Sequence, residues 1–409
     1  MKNIKIISLF NGLFEDQAKN EEVSRRELNC SNQAIKVLKS KEYGASSLLL
    51  AFARNLKLDQ IISSQKVQWR EYVLAIIVAR LLYPTLDSQF PSSCYNDTML
   101  WEGCGHQPNK KLDLNKYYFK PLERLLLNQD SIQRKIFKNE GKNECLVVYD
   151  FPFWNQGCNS PLIISFLSNL EGCPLGVEFF DDKNHKAMQR QIENIVERFK
   201  VKYLILVGNW DRALRLNSQE IKWINAITDS QIKEIMKAKP AIFESLHQEQ
   251  YHDLDDPSHA GFRYVICSNK KRNEKLWNGC RILQTTLEKD LFAALDIEKI
   301  YRNMDKINRS FSSVISLDSS LHFFNHQIRQ IFFLHMLSYY LQWHMEKKLE
   351  SYFQEKQSQN NVWTLSRVIE KLKTIRYQTI QIDNHFPKEL KSTLDSEHRE
   401  IASIFDVIM

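Results

Sequence analysis

Apolar residues in the first third of the chain recur every three or four positions, which is the spacing of an amphipathic helix. The clearest examples are ASSLLLAFARNLKLDQII over residues 45–62 and WREYVLAIIVARLL over 69–82. The segment 112–137 continues in the same style. This pattern predicts a helical N-terminal domain over residues 1–140.

Between residues 144 and 211 the pattern changes to short, strongly apolar runs bounded by polar residues, as expected of strands. The predicted elements are, in order, CLVVYD (145–150), PLIISFLSN (161–169), CPLGVEFFD (173–181), a helix KAMQRQIENIVERF (186–199) and YLILVGNWD (203–211). Strand, strand, strand, helix, strand is the opening of a ribonuclease-H-like core. The predicted fold class is therefore α/β, with such a core following the helical N-terminal domain.

Beyond this block the pattern predicts mainly helices, interrupted by a weakly patterned stretch with one short strand, RYVICS. The predicted helices are SQEIKWINAI (218–227), SQIKEIMKA (230–238) with capping candidates at 228–230, residues 297–314 and residues 322–356. We interpret the stretch before 297 as a short insertion that precedes the last helix of the core. The predicted domains are thus residues 1–140, a first part of the core over 141–239, an insertion over 240–296, and a helical completion of the core with C-terminal helices over 297–409.

The composition is that of an ordinary globular protein, because 43% of the 409 residues are hydrophobic and 26% are charged. The net charge of +7 suits an anionic partner such as nucleic acid, although a mild excess of Lys and Arg is also common in proteins without one. The eight cysteines contain no CxxC pair, which favours reduced structural thiols in a cytoplasmic protein. The longest apolar runs, 72–84 and 331–345, are shorter than the roughly 18–20 residues of a membrane span, so no membrane association is expected.

The strands at 145–150 and 203–211 both end in an aspartate, Asp150 and Asp211. A single aspartate at a strand end usually starts a loop. Two of them on neighbouring strands match the chemistry of phosphodiester transfer, in which carboxylates hold a pair of divalent metal ions. Nucleotide hydrolysis, dinucleotide binding and serine hydrolase chemistry lack support, because the chain has no P-loop, no GxGxxG and no GxSxG motif.

Several motifs in order along the chain resemble those of bacterial insertion-sequence transposases of the DDE type, in the IS-four superfamily. The matching segments are RLLYPTLDSQ (80–89), LVVYD, LEGCPLGVEFFD, LVGNWDRAL, WINAITDSQIKEI, YRNMDKINRSF (301–311) and LSYYLQWHMEKKLE (337–350). The likeness covers most of the chain.

The resemblance implies that Asp150 is the first catalytic acid and a metal ligand. It implies that Asp211 is the second catalytic acid, because Arg212 follows it as in the family's DR pair. If no two-residue insertion is allowed, Asn209 is the direct counterpart of this acid. On the third helix the position of the catalytic glutamate is occupied by Asn308. An amide oxygen can contact a metal but lacks the negative charge of a carboxylate. Asp305, three residues earlier, is the candidate substitute; the alternative is that it is a solvated helix residue.

Two other positions of that helix also depart from the family, since Met304 stands in place of its arginine and Ile315 in place of its lysine. Candidate DNA contacts are basic side chains, for which the alternative is a solvated charged face. These candidates are Arg212, Lys270, Lys271, Arg272, Lys306 and Arg309.

The resemblance implies a Mg²⁺- or Mn²⁺-dependent DNA transposase in the bacterial cytoplasm, nucleoid-associated when on DNA. It would bind the terminal inverted repeats of a mobile element through its N-terminal domain, cleave a strand and transfer it to target double-stranded DNA, acting as a homodimer in a synaptic complex. The departures leave an alternative, a decayed or repurposed transposase that only binds DNA. A third alternative is a helical interaction protein in which Asp150 and Asp211 merely cap strands.

Overall fold

The computed structural model forms two compact units, Met1–Leu125 with Leu341–Met409, and Leu126–Tyr340. The residues that the structure describes are 35–84, 92–106, 113–141, 145–153, 162–181, 185–208, 221–238, 251–255, 263–267, 281–315, 325–356, 363–382 and 386–408. This division differs from the one expected from the sequence, because residues after 340 join the N-terminal unit.

The helices are α1 (Gly44–Asn55), α2 (Leu58–Ile62), α3 (Gln68–Leu82), α4 (Ser92–Asp97), α5 (Leu100–Gly103), α6 (Lys120–Leu127), α7 (Gln129–Glu140), α8 (His185–Phe199), α9 (Asp229–Ala238), α10 (Ala294–Ile315), α11 (Asn325–Lys356), α12 (Leu365–Leu372) and α13 (Ser396–Ile404). The strands are β1 (Ile35–Glu42), β2 (Cys145–Phe153), β3 (Leu162–Ser168), β4 (Pro174–Asp181), β5 (Tyr203–Val207), β6 (Ile221–Ala226), β7 (Tyr251–Asp255), β8 (Arg263–Cys267), β9 (Arg281–Thr285), β10 (Arg376–Ile382) and β11 (Lys388–Lys391). The α/β class predicted from the sequence is confirmed.

The second unit contains a mixed sheet of eight described strands in the order β4-β3-β2-β5-β6-β9-β8-β7. The strand β2 pairs antiparallel with β3 and parallel with β5, and β5 pairs parallel with β6. The helix α8 connects β4 to β5. The segment predicted as an insertion extends this sheet, since β9, β8 and β7 continue it antiparallel from β6.

The two central strands are buried on both faces, which explains why their sequences are apolar without interruption. In β2 the residues Leu146, Val147, Val148 and Tyr149 are all buried, and so is every residue of β5 from Leu204 to Val207. Burial of this kind holds the strand that carries Asp150 inside the unit, because movement toward solvent would expose apolar side chains on both faces.

Two elements of the second unit differ from the sequence prediction. Residues 221–226 form β6, whereas the sequence predicted a helix over 218–227. The spacing of Ile221 and Ile224 fits a helix, but pairing with β5 and β9 satisfies the backbone and also buries Trp223. Part of the segment predicted as a loop before 263 forms β7, which pairs with β8.

The first unit is not entirely helical, contrary to the prediction for residues 1–140. Its strand β1 pairs antiparallel with β10, and β10 with β11, both of which come from the region predicted to be helical after 297. The glutamate that ends β1, Glu42, accepts hydrogen bonds from the backbone N–H groups of Ala45 (2.6 Å) and Ser46 (3.2 Å) at the start of α1. This side chain thus connects the small sheet to the helices.

The edge strand β4 has its outward-facing backbone groups covered by glutamine side chains. Gln133 of α7 accepts a hydrogen bond from the Val177 N–H (2.8 Å), and Gln129 donates to the Val177 carbonyl (2.8 Å). Gln191 of α8 donates to the carbonyl of Phe179 (3.0 Å). Such cover protects an exposed sheet edge from pairing with other chains.

Among the described helices, none combines the length and the apolar composition needed to cross a lipid bilayer.

Candidate functional site

The strand β2 places Asp150 at the edge of the sheet where the parallel strands end. The pairing of β2 with β5 runs from Cys145 opposite Tyr203 to Tyr149 opposite Val207, so Asp150 follows the last paired position. Its backbone also pairs with Ser165 of β3. Asp211 comes three residues after Gly208, where the description of this segment ends, and it therefore lies outside the described residues, as do Asn209 and Arg212.

The helix α10 is attached to this strand by the neighbour of Asp150. The hydroxyl of Tyr149 donates a hydrogen bond to the carbonyl oxygen of Ile300 on α10 (2.8 Å), and burial raises the pKa of that hydroxyl well above its usual range. Farther along the helix, Phe311 packs edge-to-face on Phe166 of β3, with 5.1 Å between ring centroids. Asp305 and Asn308 lie on the helical segment between these two attachments.

Replacing Tyr149 with phenylalanine should destabilise this attachment by about 0.5–1.5 kcal/mol, the usual net value of a hydrogen bond. The folded-state pKa of Tyr149 is raised, so the stability that it contributes is complete below its unfolded pKa of 10.0 and declines as the pH rises above it. The free energy of unfolding, measured in urea at pH 7 and at pH 11, should therefore decrease less between these pH values in Tyr149→Phe than in the unsubstituted protein. The matched control is Tyr203→Phe, at a half-buried tyrosine of the same sheet; an equal effect of both variants would contradict this role for Tyr149.

Asn308 is half-buried on α10, and its side chain makes no hydrogen bond to any other described residue. It lies between two buried residues of the same helix, Ile307 and Phe311, which hold the backbone at this position. A hard divalent ion accepts an amide oxygen as a ligand, so the donor type fits, but an amide neutralises none of the metal's charge.

Asp305, the candidate substitute acid, is already engaged by a cation. Its carboxylate lies 3.5 Å from the guanidinium of Arg281 on β9, and both side chains are partly exposed. The same guanidinium lies over the ring of Tyr301, 5.0 Å from its centroid. A metal ion at Asp305 would have to compete with Arg281, which makes this carboxylate a poorer ligand than a free one.

The turn between β3 and β4, which the sequence predicted at residues 170–172, packs against α10. Gly172 has a φ of 85°, and a Cβ there would lie 2.7 Å from the side chain of Asn303. Asn303 in turn donates a hydrogen bond to the Leu170 carbonyl (3.4 Å). The contacts of Asn303, Arg281 and Tyr149 with this helix were not predicted from the sequence, because each joins residues far apart in the chain.

Of the six predicted DNA contacts, Lys306 and Arg309 are exposed on α10. The Nε–H of Arg309 donates to the Asp305 carbonyl (3.2 Å). Arg212, Lys270, Lys271 and Arg272 lie outside the described residues.

Neither a protein-family model nor a curated protein matches this sequence.

Proposed function

We propose that this chain is a DDE-type transposase protein with a ribonuclease-H-like core. The observation that carries the proposal is the strand order β4-β3-β2-β5-β6, with β2 antiparallel to β3 and parallel to β5. Three antiparallel strands, a crossover helix and two further parallel strands make up such a core. Asp150 lies on its central strand, and α10 attaches to that strand through the next residue.

In this proposal the chain binds double-stranded DNA at the ends of a mobile element. Asp150 and Asp211 would hold Mg²⁺ or Mn²⁺, with the amide oxygen of Asn308 as a weak third ligand. The metal would activate a nucleophilic oxygen and stabilise the leaving oxygen. The residues of this chain position the groups: Tyr149 attaches α10 to β2, and Arg281 competes with a metal ion for Asp305.

The arrangement on α10 also favours a second candidate, a DNA-binding protein without strand-transfer activity. The specific observations are the amide at Asn308 and the ion pair between Arg281 and Asp305. Together they leave α10 without a free carboxylate at either candidate position.

A nicking assay on supercoiled DNA that carries the flanking repeats, with Mg²⁺ or Mn²⁺, separates the two candidates. We expect slow metal-dependent nicking that falls at least about 100-fold in Asp150→Asn, because that variant loses a charged metal ligand. Electrophoretic mobility shifts should show that the variant still binds DNA. Nicking that survives in Asp150→Asn would contradict the first candidate, and DNA binding without any nicking would support the second.

A further inference from the structure

The exposed side of α10 carries four basic residues in a line. Lys299, Arg302, Lys306 and Arg309 are exposed and follow one another at intervals of three, four and three residues. At 3.6 residues per turn, these positions lie within about 80° of one another around the helix. We call this set the basic stripe. The opposite side of the helix is buried through Ile297, Ile300, Ile307 and Phe311.

The acidic residues of α10 neutralise part of the stripe, at Arg302. Glu298 is nearly buried and forms an ion pair with Arg302, whose side chain remains 63% exposed. Asp305 is paired with Arg281, outside the stripe, and the carboxylate of Asp296 accepts a hydrogen bond from the Ala293 N–H (3.3 Å) at the start of the helix.

Lys299 and Lys306 have no acidic partner within ion-pair distance among the described residues. These two lysines therefore present unneutralised positive charge to solvent.

The stripe does not point in the same direction as Asn308. Asn308 lies about 140° around the helix from the centre of the stripe, and Tyr301 is on the same side as Asn308. A polyanion bound by the stripe would therefore lie on a different face of α10 from a DNA strand bound at Asn308.

We propose that the basic stripe is a sequence-independent binding surface for the phosphate backbone of duplex DNA, separate from the face that carries Asn308. The inference rests on the proposed function in that both concern DNA. From Lys299 to Arg309 the stripe spans about 15 Å, at 1.5 Å per residue. Duplex DNA carries one negative charge per roughly 1.7 Å of its axis, so a contact of this length meets several phosphates.

The chemistry of the stripe favours DNA over an anionic membrane surface. Among the described residues, exposed apolar side chains continue the line at its N-terminal end, at Leu291 and Leu295. A helix that inserts into a membrane interface needs an apolar face along its length, whereas the apolar face of α10 is used against the sheet.

The test is the salt dependence of DNA binding, measured by fluorescence anisotropy with 25-base-pair duplexes of two unrelated sequences. In the stripe variant all four residues are replaced by glutamine. Because each phosphate contact contributes about 0.9 to the slope of log K against log salt, the slope should fall by about 3.6, equally for both sequences. The control variant makes the same change in net charge at exposed residues of other helices. It replaces Lys138, Arg190, Lys233 and Lys237 with glutamine.

An unchanged slope in the stripe variant, or an equal loss in the control, would overturn the proposal. Tighter binding to duplex RNA of the same length, or stripe-dependent binding to vesicles containing anionic lipid but not to DNA, would also overturn it. The proposed function is tested separately from the stripe. If no metal supports nicking but the salt slope of DNA binding falls in the stripe variant, the binding surface is still established. If nicking is found and the slope is unchanged, only the stripe proposal fails. Circular dichroism of both variants establishes that they are folded.

Discussion

Replacing Asn308 with glutamate should raise the rate of Mg²⁺-dependent nicking by about 100-fold, which corresponds to about 2.7 kcal/mol of transition-state stabilisation. The physical reason is charge: a carboxylate at this position supplies the negative ligand that an amide lacks, and a second divalent ion then binds more tightly. The helix can accept the change, because the side chain of Asn308 is half-buried and makes no hydrogen bond to another described residue, and because glutamate is a good helix former.

The control for this prediction is Asn308→Gln, which has nearly the size of glutamate without its charge. Steady-state nicking should rank Asn308→Glu far above Asn308→Gln, and the double variant Asn308→Glu with Asp150→Asn should be inactive. Equal rates for the glutamate and glutamine variants, in both Mg²⁺ and Mn²⁺, would show that the third ligand does not limit the reaction. They would favour the protein that binds DNA without cleaving it.

Replacing Arg263 with methionine should destabilise the second unit by about 3–5 kcal/mol, because the substitution leaves a buried carboxylate without its cation. Arg263 of β8 is only 3% exposed, and its guanidinium donates to the carboxylate of Asp253 on β7 (3.0 Å). The other oxygen of Asp253 is buried and has no hydrogen-bond partner among the described residues. The guanidinium also donates to the Phe292 carbonyl (2.5 Å), two residues before α10, so the loss should extend to the start of that helix.

The comparison for Arg263 is the exposed ion pair of the neighbouring strand. Arg281→Met removes the partner of Asp305 where both side chains are partly exposed, and such pairs contribute only about 0–1 kcal/mol. Hydrogen exchange of the β8 amides in urea reports the stability of this unit separately from the other. The double variant Arg263→Met with Asp253→Leu should recover most of the loss, because it leaves no buried charge. A loss in Arg263→Met no larger than in Arg281→Met would contradict the structural interpretation.

The candidate site could be predicted from the sequence only in part. The strand that carries Asp150 and the helix that carries Asn308 follow from their hydrophobic patterns, because β2 is apolar throughout and α10 repeats buried residues at helical spacing. The basic stripe could also be predicted from that spacing, since Lys299 and Arg302 lie on the same side of the helix as Lys306 and Arg309. The ion pair between Asp305 and Arg281 could not be predicted, because the two residues lie on different elements and no local rule places them together.

The amino-acid sequence by itself determined the α/β class, the central strands, the helix between β4 and β5 and the two long helices α10 and α11. Each of these depends on a local pattern, in which burial of an apolar face or a continuous apolar run decides between helix and strand. Only the tertiary structure decided that residues 221–226 form a strand, and that β1 pairs with β10 from the other end of the chain. Backbone hydrogen bonds between strands form with distant partners, and burial against them outweighs the weak local preference of a short segment. The same holds for function: the identity of Asn308 is in the sequence, but the side of α10 that faces the sheet, and the side that is free to meet a polyanion, are set by packing.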